Sequence, residues 1–156
     1  MNFSTILLER ISHHLLRRGE TISIFEQVTS GALQLAFSQM PDAHNFYNGG
    51  LTIFNHSQIN WLNLPMNSDQ ILESRNGAER LSIEVAKQFG SDWSIAITGS
   101  LSSKEEFYNQ IFAYYSISYK NVIIRSDKID LHPLTKAWDA QKYFAEYVLT
   151  PTGMEI

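Results

Sequence analysis

The sequence predicts a three-layer α/β/α domain with a mixed five-stranded sheet, and three observations support that prediction. Apolar, strand-length runs alternate with amphipathic helices through the first two-thirds of the chain, which predicts parallel strands joined by right-handed crossovers. A tight turn at Tyr119-Lys120 joins two further strand-like runs, so the fourth strand is expected to be antiparallel. With 156 residues, 44% of them hydrophobic, the chain can bury one full core.

Each predicted element is bounded by a residue that stops or starts it. Gly19 and Gly90 end the first and third helices, because glycine adopts the left-handed conformation that closes a helix. Pro41 ends the second helix, and Pro133 suits the first position of the last one. The predicted strands cover residues 21–25, 51–54, 93–98, 111–117 and 122–124. The predicted helices cover 4–18, 29–40, a stretch that starts after 67–69 and ends at 90, and 133–148, with loops over 42–48 and 100–106.

Composition and charge exclude several classes of function. A net charge of −4 gives no broad basic surface for nucleic acid. The absence of cysteine excludes disulfides, thiolate catalysis and cysteine-ligated zinc, and the five histidines show no ligand spacing, so neither metal nor cofactor is expected. No apolar run approaches the ~20 residues of a membrane span, and no signal peptide is visible. We expect a cytoplasmic protein with one domain over residues 1–150 and a flexible tail over 151–156.

The turn between the first strand and the second helix carries the clearest functional signal. A strand that enters a helix through a short polar turn points backbone N–H groups at one spot, which suits an anion or a reacting oxyanion. The turn, residues 26–31, resembles the Glu-Ser-Cys-Thr-Gly-Gly signature of the CinA C-terminal domain family, which includes nicotinamide mononucleotide amidohydrolases. The matching residues are Glu26, Thr29 and Gly31. The residues that replace Ser, Cys and the first Gly are Gln27, Val28 and Ser30.

Two further family motifs are present in altered form. The motif Gly-x-Val-x-x-Tyr-Ser-Asn-Glu-x-Lys corresponds to residues 49–59, where Phe54 replaces Tyr and Ile59 replaces Lys. A strand ending in Thr98-Gly99 matches the third motif, but the Gly-Pro that follows in the family is missing, as is the Gly-Asp-Arg before the last helix. The resemblance extends roughly over residues 7–149 and implies the same three-layer fold.

These replacements decide what the resemblance implies about activity. The family's Ser and Lys suit the roles of nucleophile and base, but an amide at position 27 cannot attack and an isoleucine at 59 cannot carry a proton. The resemblance therefore implies a member without amidohydrolase activity that retains a pocket for a small polar or nucleotide-like ligand or acts through protein contacts. The alternative is an active amide hydrolase with altered catalytic residues. The residues expected to line the pocket are Glu26, Gln27, Thr29, Ser30, Gly31, Phe54, Ile59, Thr98 and Gly99.

Several of these residues also have a purely structural interpretation. Thr29 or Ser30 is expected to cap the second helix, although Ser30 with His56 is a conceivable replacement nucleophile and base. Glu26 is expected to be a structural or ligand-orienting carboxylate, and Gly31 to let the helix approach the sheet. Exposed aromatic residues of the fourth strand would suit a subunit interface, so a homo-oligomer is expected.

Overall fold

The computed structural model describes residues 2–62, 72–101 and 110–154, except for the side chains of residues 56, 61, 62, 151 and 152. The five strands are β1 (Ile22–Glu26), β2 (Tyr47–Thr52), β3 (Trp93–Ser100), β4 (Ile111–Tyr119) and β5 (Val122–Leu131). The α-helices are α1 (Thr5–Arg18), α2 (Ala32–Ser38), α3 (Arg75–Phe89), α4 (Ala137–Leu149) and α5 (Pro151–Met154). Short 3₁₀ helices cover Ala43–Asn45 and His56–Leu62.

The strands form one mixed sheet in the order β2-β1-β3-β4-β5. Strands β1, β2 and β3 are parallel, as expected for strands joined through helices. Strand β4 is antiparallel to both β3 and β5, and the β4–β5 hairpin turns at residues 120–121. The predicted fold class, including the antiparallel fourth strand, is confirmed.

The two faces of the sheet are covered by different helices. Helices α1, α2 and α4 pack on one face, where the larger apolar cluster includes Ile24, Ile95 and Tyr115. Helix α3 covers the other face, where Phe25 and Ala96 belong to the smaller cluster. Because alternate residues of a strand point to opposite faces, these two clusters fix the face on which every other strand residue lies.

Helix α3 meets the sheet through buried serines that we call the serine seam, formed by Ser82, Ser94, Ser116 and Ser118. The Ser94 hydroxyl donates to the Ser82 carbonyl at 2.6 Å and shares a hydrogen bond with the Ser118 hydroxyl. The Ser82 and Ser116 hydroxyls lie 3.2 Å apart. The buried hydroxyls are therefore satisfied within the interface between helix and sheet.

Several predicted boundaries were wrong, and the largest difference is in β5, which was predicted to end at residue 124 and ends at Leu131. Strand β2 begins at Tyr47, inside the predicted loop, and ends at Thr52 rather than at Phe54. Gly49 and Gly50 lie within the strand, and position 50 requires glycine because a Cβ there would overlap the Ile24 carbonyl oxygen. Helix α4 begins at Ala137, since residues 133–136 form a turn in which the Leu134 amide donates to His132 Nδ1 at 3.1 Å.

The predicted flexible tail is instead partly helical. Residues 151–154 form α5, with Met154 buried and the Gly153 carbonyl accepting a hydrogen bond from the Tyr115 hydroxyl at 3.1 Å. The apolar side chain and the buried phenol hold this segment, and neither is visible in the local sequence. The predicted start of the third helix after residues 67–69, and most of the predicted loop over 100–106, lie outside the described residues.

Candidate functional site

The turn after β1 is organised by the fully buried carboxylate of Glu26. One of its oxygens accepts hydrogen bonds from the Thr29 hydroxyl at 2.6 Å and the Leu33 amide at 2.7 Å. The other oxygen accepts from the Gln34 amide at 2.9 Å. Glu26 thus satisfies the first amides of α2 and places negative charge at its positive end. The structural role expected for Glu26 fits these contacts.

The prediction that Thr29 or Ser30 caps the helix was wrong. Helix α2 begins at Ala32 after Gly31, and the Thr29 hydroxyl points back to Glu26. Ser30 is exposed and has a φ of 49°. Gly31 has a φ of 94°, and a Cβ there would make only ordinary contact with Thr52. The glycine is therefore needed for its left-handed backbone conformation, not for the close approach of helix and sheet that we expected.

Gln27 is buried and bridges two other parts of the chain. Its side-chain oxygen accepts a hydrogen bond from the Gly99 amide at 3.1 Å, and its side-chain nitrogen donates to Glu73 at 2.7 Å. The structure therefore brings Gln27 together with Gly99, as the motifs predicted. Sequence reasoning missed Glu73, and its only local signal is its place one residue before Ser74, the cap of α3.

Thr98 and Gly99 are inside β3 rather than at its end. A Cβ on Gly99 would overlap the Phe112 carbonyl oxygen on β4, so glycine is required there by close packing. Thr98 is fully buried, and its hydroxyl has no hydrogen-bond partner among the described residues. A buried hydroxyl without a partner is uncommon, because its removal from water is not compensated.

Thr98 belongs to a set of side chains that we call the polar row: Gln27, Thr98, Tyr114 and Lys128. Thr98 pairs with Tyr114, and Tyr114 pairs with Lys128, across β3, β4 and β5. Gln27 lies beside Thr98 because Glu26 pairs with Ile97. All four occupy the sheet face that α3 covers. The row therefore crosses the sheet at the carboxyl ends of β1 and β3, where open α/β sheets bind ligands.

Lys128 gives the polar row a partly buried positive charge. Its ammonium nitrogen lies 5.2 Å from the ring centre of Phe112 and 5.5 Å from that of Tyr114. The same nitrogen lies 3.2 Å from Asp130. Both rings contribute cation–π attraction. Sequence reasoning missed Lys128, because only strand register places it beside the recognised motifs.

The remaining predicted residues do not all join this group. Phe54 is 74% exposed, because β2 ends two residues before it. Ile59 is buried in the apolar cluster with Phe25 and Leu72, so packing replaces the charge that the family has there. The side chain of His56 is outside the described residues, and its pairing with Ser30 stays a prediction. Of the aromatic residues on β4, Phe112 and Tyr115 are buried and Tyr114 is partly buried, and the expected subunit interface stays a prediction.

At the opposite end of the same strands lies a second polar group, the Glu20 cluster, formed by Glu20, Arg18, Trp93 and Tyr119. Glu20 accepts hydrogen bonds from Arg18, from the Tyr119 hydroxyl and, at 3.2 Å, from the Trp93 indole. Burial alone raises the pKa of Glu20, but these donors outweigh it and lower the pKa to about 2. The cluster ties α1 to β3 and β4.

The described part of the chain contains neither a metal-ligand cluster nor a membrane-spanning helix. No three His, Asp or Glu side chains come together there as ligands would. None of its helices combines the length and hydropathy needed to cross a bilayer.

The chain matches the family model described as the CinA C-terminal domain over residues 4–121. It is 38% identical over 88 residues to a CinA-like protein of Prochlorococcus marinus, covering 54% of this chain and 21% of the relative. A CinA-like protein of Synechocystis is 32% identical over 91 residues, with the same coverage of 54% and 21%. The matched segment thus spans about a fifth of the length of these curated relatives.

Solved structures share the fold at low sequence identity. A competence or damage-inducible protein from Enterobacter asburiae superposes with a TM-score of 0.82 at 16% identity, covering 96% of this chain and 95% of that one. The competence damage-inducible protein A from Klebsiella pneumoniae gives a TM-score of 0.80 at 17% identity, with coverage of 97% and 96%.

Proposed function

This chain belongs to the CinA C-terminal domain family, and on that premise we propose that it does not hydrolyse amides but retains a small-ligand site at the polar row. The observation that carries the proposal is the pair of hydrogen bonds made by Gln27, at the position of the family's nucleophile. An amide side chain has no available lone pair on nitrogen, so Gln27 cannot attack a substrate carbonyl.

Gln27 also accepts a hydrogen bond from a backbone amide, that of Gly99, which would then be unable to stabilise an oxyanion. Acyl transfer depends on N–H groups already aimed at the developing oxyanion, and loss of one such donor typically lowers the rate by 10²–10³-fold. Here the Gly99 amide is hydrogen-bonded to Gln27. The Leu33 and Gln34 amides at the start of α2 are hydrogen-bonded to Glu26. These three amides are therefore used within the fold.

Ligand binding is supported by the groups that remain. The Thr98 hydroxyl lacks a partner in the described part of the chain, and Lys128 supplies a charge. These groups suit a small polar or nucleotide-like molecule. A cytoplasmic location and assembly into a homo-oligomer, as family resemblance and composition suggest, remain predictions of the same proposal.

Ammonia release from nicotinamide mononucleotide tests the loss of hydrolysis. We expect no release above that of a buffer control. Turnover at an ordinary enzymatic rate of about 1–10³ per second would overturn the proposal and favour the alternative, an amide hydrolase of altered mechanism. In that event Ser30→Ala and His56→Ala identify the residues responsible, because Ser30 has the exposed hydroxyl of the turn.

A double substitution tests whether the loss is confined to two residues. Gln27→Ser with Ile59→Lys restores a hydroxyl and an amine at the family's positions, and we expect it to remain near background in the same assay. The introduced lysine would enter the apolar cluster around Phe25, where burial disfavours its charge. Efficient turnover by this variant would show that the rest of the active site is intact.

A further inference from the structure

We propose that Thr98, Tyr114 and Lys128 form an oxyanion-binding subsite, which takes a carboxylate or phosphate group of a small molecule. The inference rests on the proposed ligand site at the polar row and names the chemical class that it binds. Three independent observations support it: the environment of Lys128, the buried Thr98 hydroxyl, and the position of the start of α3.

The environment of Lys128 favours an anionic ligand. Its side chain is only 30% exposed, whereas Asp130, its carboxylate partner, is 66% exposed. The ammonium group therefore has lost part of its hydration, while its counter-ion is held weakly at the surface. A ligand oxyanion can share the ammonium group with Asp130, or it can replace Asp130 as the partner of Lys128 with little loss of free energy. Because the ammonium group lies over the rings of Phe112 and Tyr114, its position above β4 is already fixed.

The Thr98 hydroxyl is the neutral donor of this subsite. It lies on the strand next to Tyr114 and on the same face, about two strand spacings, or ~10 Å, from the backbone of Lys128. The lysine side chain extends back over β4 and shortens that gap. The hydroxyl is fully buried, so a ligand oxygen accepts from it only by entering between the sheet and α3; the described residues supply no acceptor for it. Binding thereby satisfies a group that folding leaves unsatisfied.

The start of α3 lies above the row. Glu73 reaches Gln27 beside β1, and two residues later Arg75 donates to the Ser126 carbonyl on β5 at 2.6 Å. The intervening residue, Ser74, accepts from the Gly77 amide and begins a helix of 15 residues. The positive end of a helix dipole and the guanidinium of Arg75 therefore face the same side of the sheet as Lys128. Glu73, the acidic residue of this segment, is hydrogen-bonded to Gln27.

Amide chemical-shift titrations of the whole chain test the subsite with three probes: inorganic phosphate, acetate and acetamide. Acetamide matches acetate in shape but carries no charge. We expect phosphate or acetate to shift the amides of Gly99 and Lys128, and acetamide to bind at least tenfold more weakly. A response to phosphate alone, or to acetate alone, identifies which oxyanion the site prefers. Acetamide binding equal to acetate binding would overturn the inference, as would the failure of both anions to bind.

Four variants assign the binding to these residues. Lys128→Gln and Thr98→Val should each weaken anion binding at least tenfold, whereas Lys128→Arg should retain it. The matched control is Lys120→Gln, because the Lys120 ammonium also lies over an aromatic ring, 5.3 Å from the centre of Tyr119, at the other end of the sheet. Unchanged binding in folded Lys128→Gln, or equal weakening in Lys120→Gln, would overturn the assignment.

The outcomes separate this inference from the proposed function. Release of ammonia from nicotinamide mononucleotide would refute the loss of hydrolysis but leave a dependence of anion binding on Lys128 intact. If no anion binds at Lys128, the inference fails, but the result of the ammonia assay does not change.

Discussion

At the amino ends of β1 and β3, the buried carboxylate of Glu20 accepts hydrogen bonds from three side chains. At the carboxyl ends of the same strands, no described residue bonds the fully buried hydroxyl of Thr98. Glu20 lies two residues before β1 and bonds Trp93 at the start of β3, and Thr98 follows five residues later on the same strand. The comparison teaches that the Glu20 carboxylate uses its hydrogen-bonding capacity within the fold, whereas the Thr98 hydroxyl has no partner among the described residues.

This difference separates stability from function. A fully satisfied buried network rigidifies the fold, so the Glu20 cluster is expected to contribute to the free energy of unfolding. A group left unsatisfied costs stability, and it persists where it serves another purpose. The carboxyl edge of an open α/β sheet is the usual place for such a group, since ligands bind there.

The largest expected effect tests the close packing of β3 against β4 near the carboxyl end of β3. Gly99→Ala should lower the free energy of unfolding by more than about 3 kcal/mol, because the added Cβ overlaps the Phe112 carbonyl oxygen and forces β3 and β4 apart. Urea denaturation measures the change. The control is Gly90→Ala, where no atom lies within 4 Å of the added Cβ and the left-handed φ alone should cost about 1 kcal/mol. Equal losses in both variants would contradict the packing argument.

The next largest expected change in stability tests the Glu20 cluster at the amino ends of β1 and β3. Glu20→Gln should lower the free energy of unfolding by about 2 kcal/mol, since the charged acceptor of three donors is lost. Denaturation at pH 7 measures it against Glu9→Gln, an exposed glutamate on α1 whose replacement should change stability by less than about 0.5 kcal/mol. If the two variants were equally stable, the cluster would not be a source of stability.

Acidification should remove the same contribution gradually. The pKa of Glu20 falls from an ordinary 4.5 to about 2 in the folded protein, so the unfolded chain binds the proton more readily. Its stabilisation is therefore complete above about pH 4.5 and is lost as the pH falls through 2. We expect the stability difference between the parent and Glu20→Gln to narrow over this range. A constant difference would mean that the charge of Glu20 does not matter.

The smallest effect has the opposite sign. Thr98→Val should raise the free energy of unfolding by roughly 0.5–1.5 kcal/mol, because it replaces a buried hydroxyl with a methyl group of similar size. The matched control, Thr29→Val, should be destabilising, since the Thr29 hydroxyl donates to Glu26 at 2.6 Å. Thermal unfolding of both variants measures the contrast. Destabilisation by Thr98→Val would remove the distinction between the two ends of the sheet.

The sequence predicted the sheet because its signals are local. Alternating apolar runs, Gly19, Gly90 and the turn at Tyr119-Lys120 each act within a few residues, and the fold class follows from their order. The start of β2 was missed because Gly50 inside it is required by close approach to the carbonyl of Ile24, which is distant in sequence.

The site was predicted only where motifs mark it. Gln27 and Gly99 were recognised from motifs and do meet in space. Glu73 and Lys128 were not, because their contacts depend on helix placement and strand register, which hydropathy does not encode. The capping role of Thr29 was misjudged since a more distant carboxylate, Glu26, supplies the acceptor for the helix amides. Long-range polar pairing is the part of this fold that the sequence alone leaves undetermined.

The serine seam has a consequence for how the layers come apart. An apolar interface resists separation but allows sliding, because contact area changes little when one layer shifts along the other. The serine seam also fixes the position of α3 along the strands, since the Ser94 hydroxyl must meet one carbonyl of α3 and one hydroxyl of β4. A shift of a single residue would leave these buried hydroxyls without partners. Helix and sheet should therefore separate as a cooperative unit, and amides of β3 beneath α3 should exchange with solvent only through that opening.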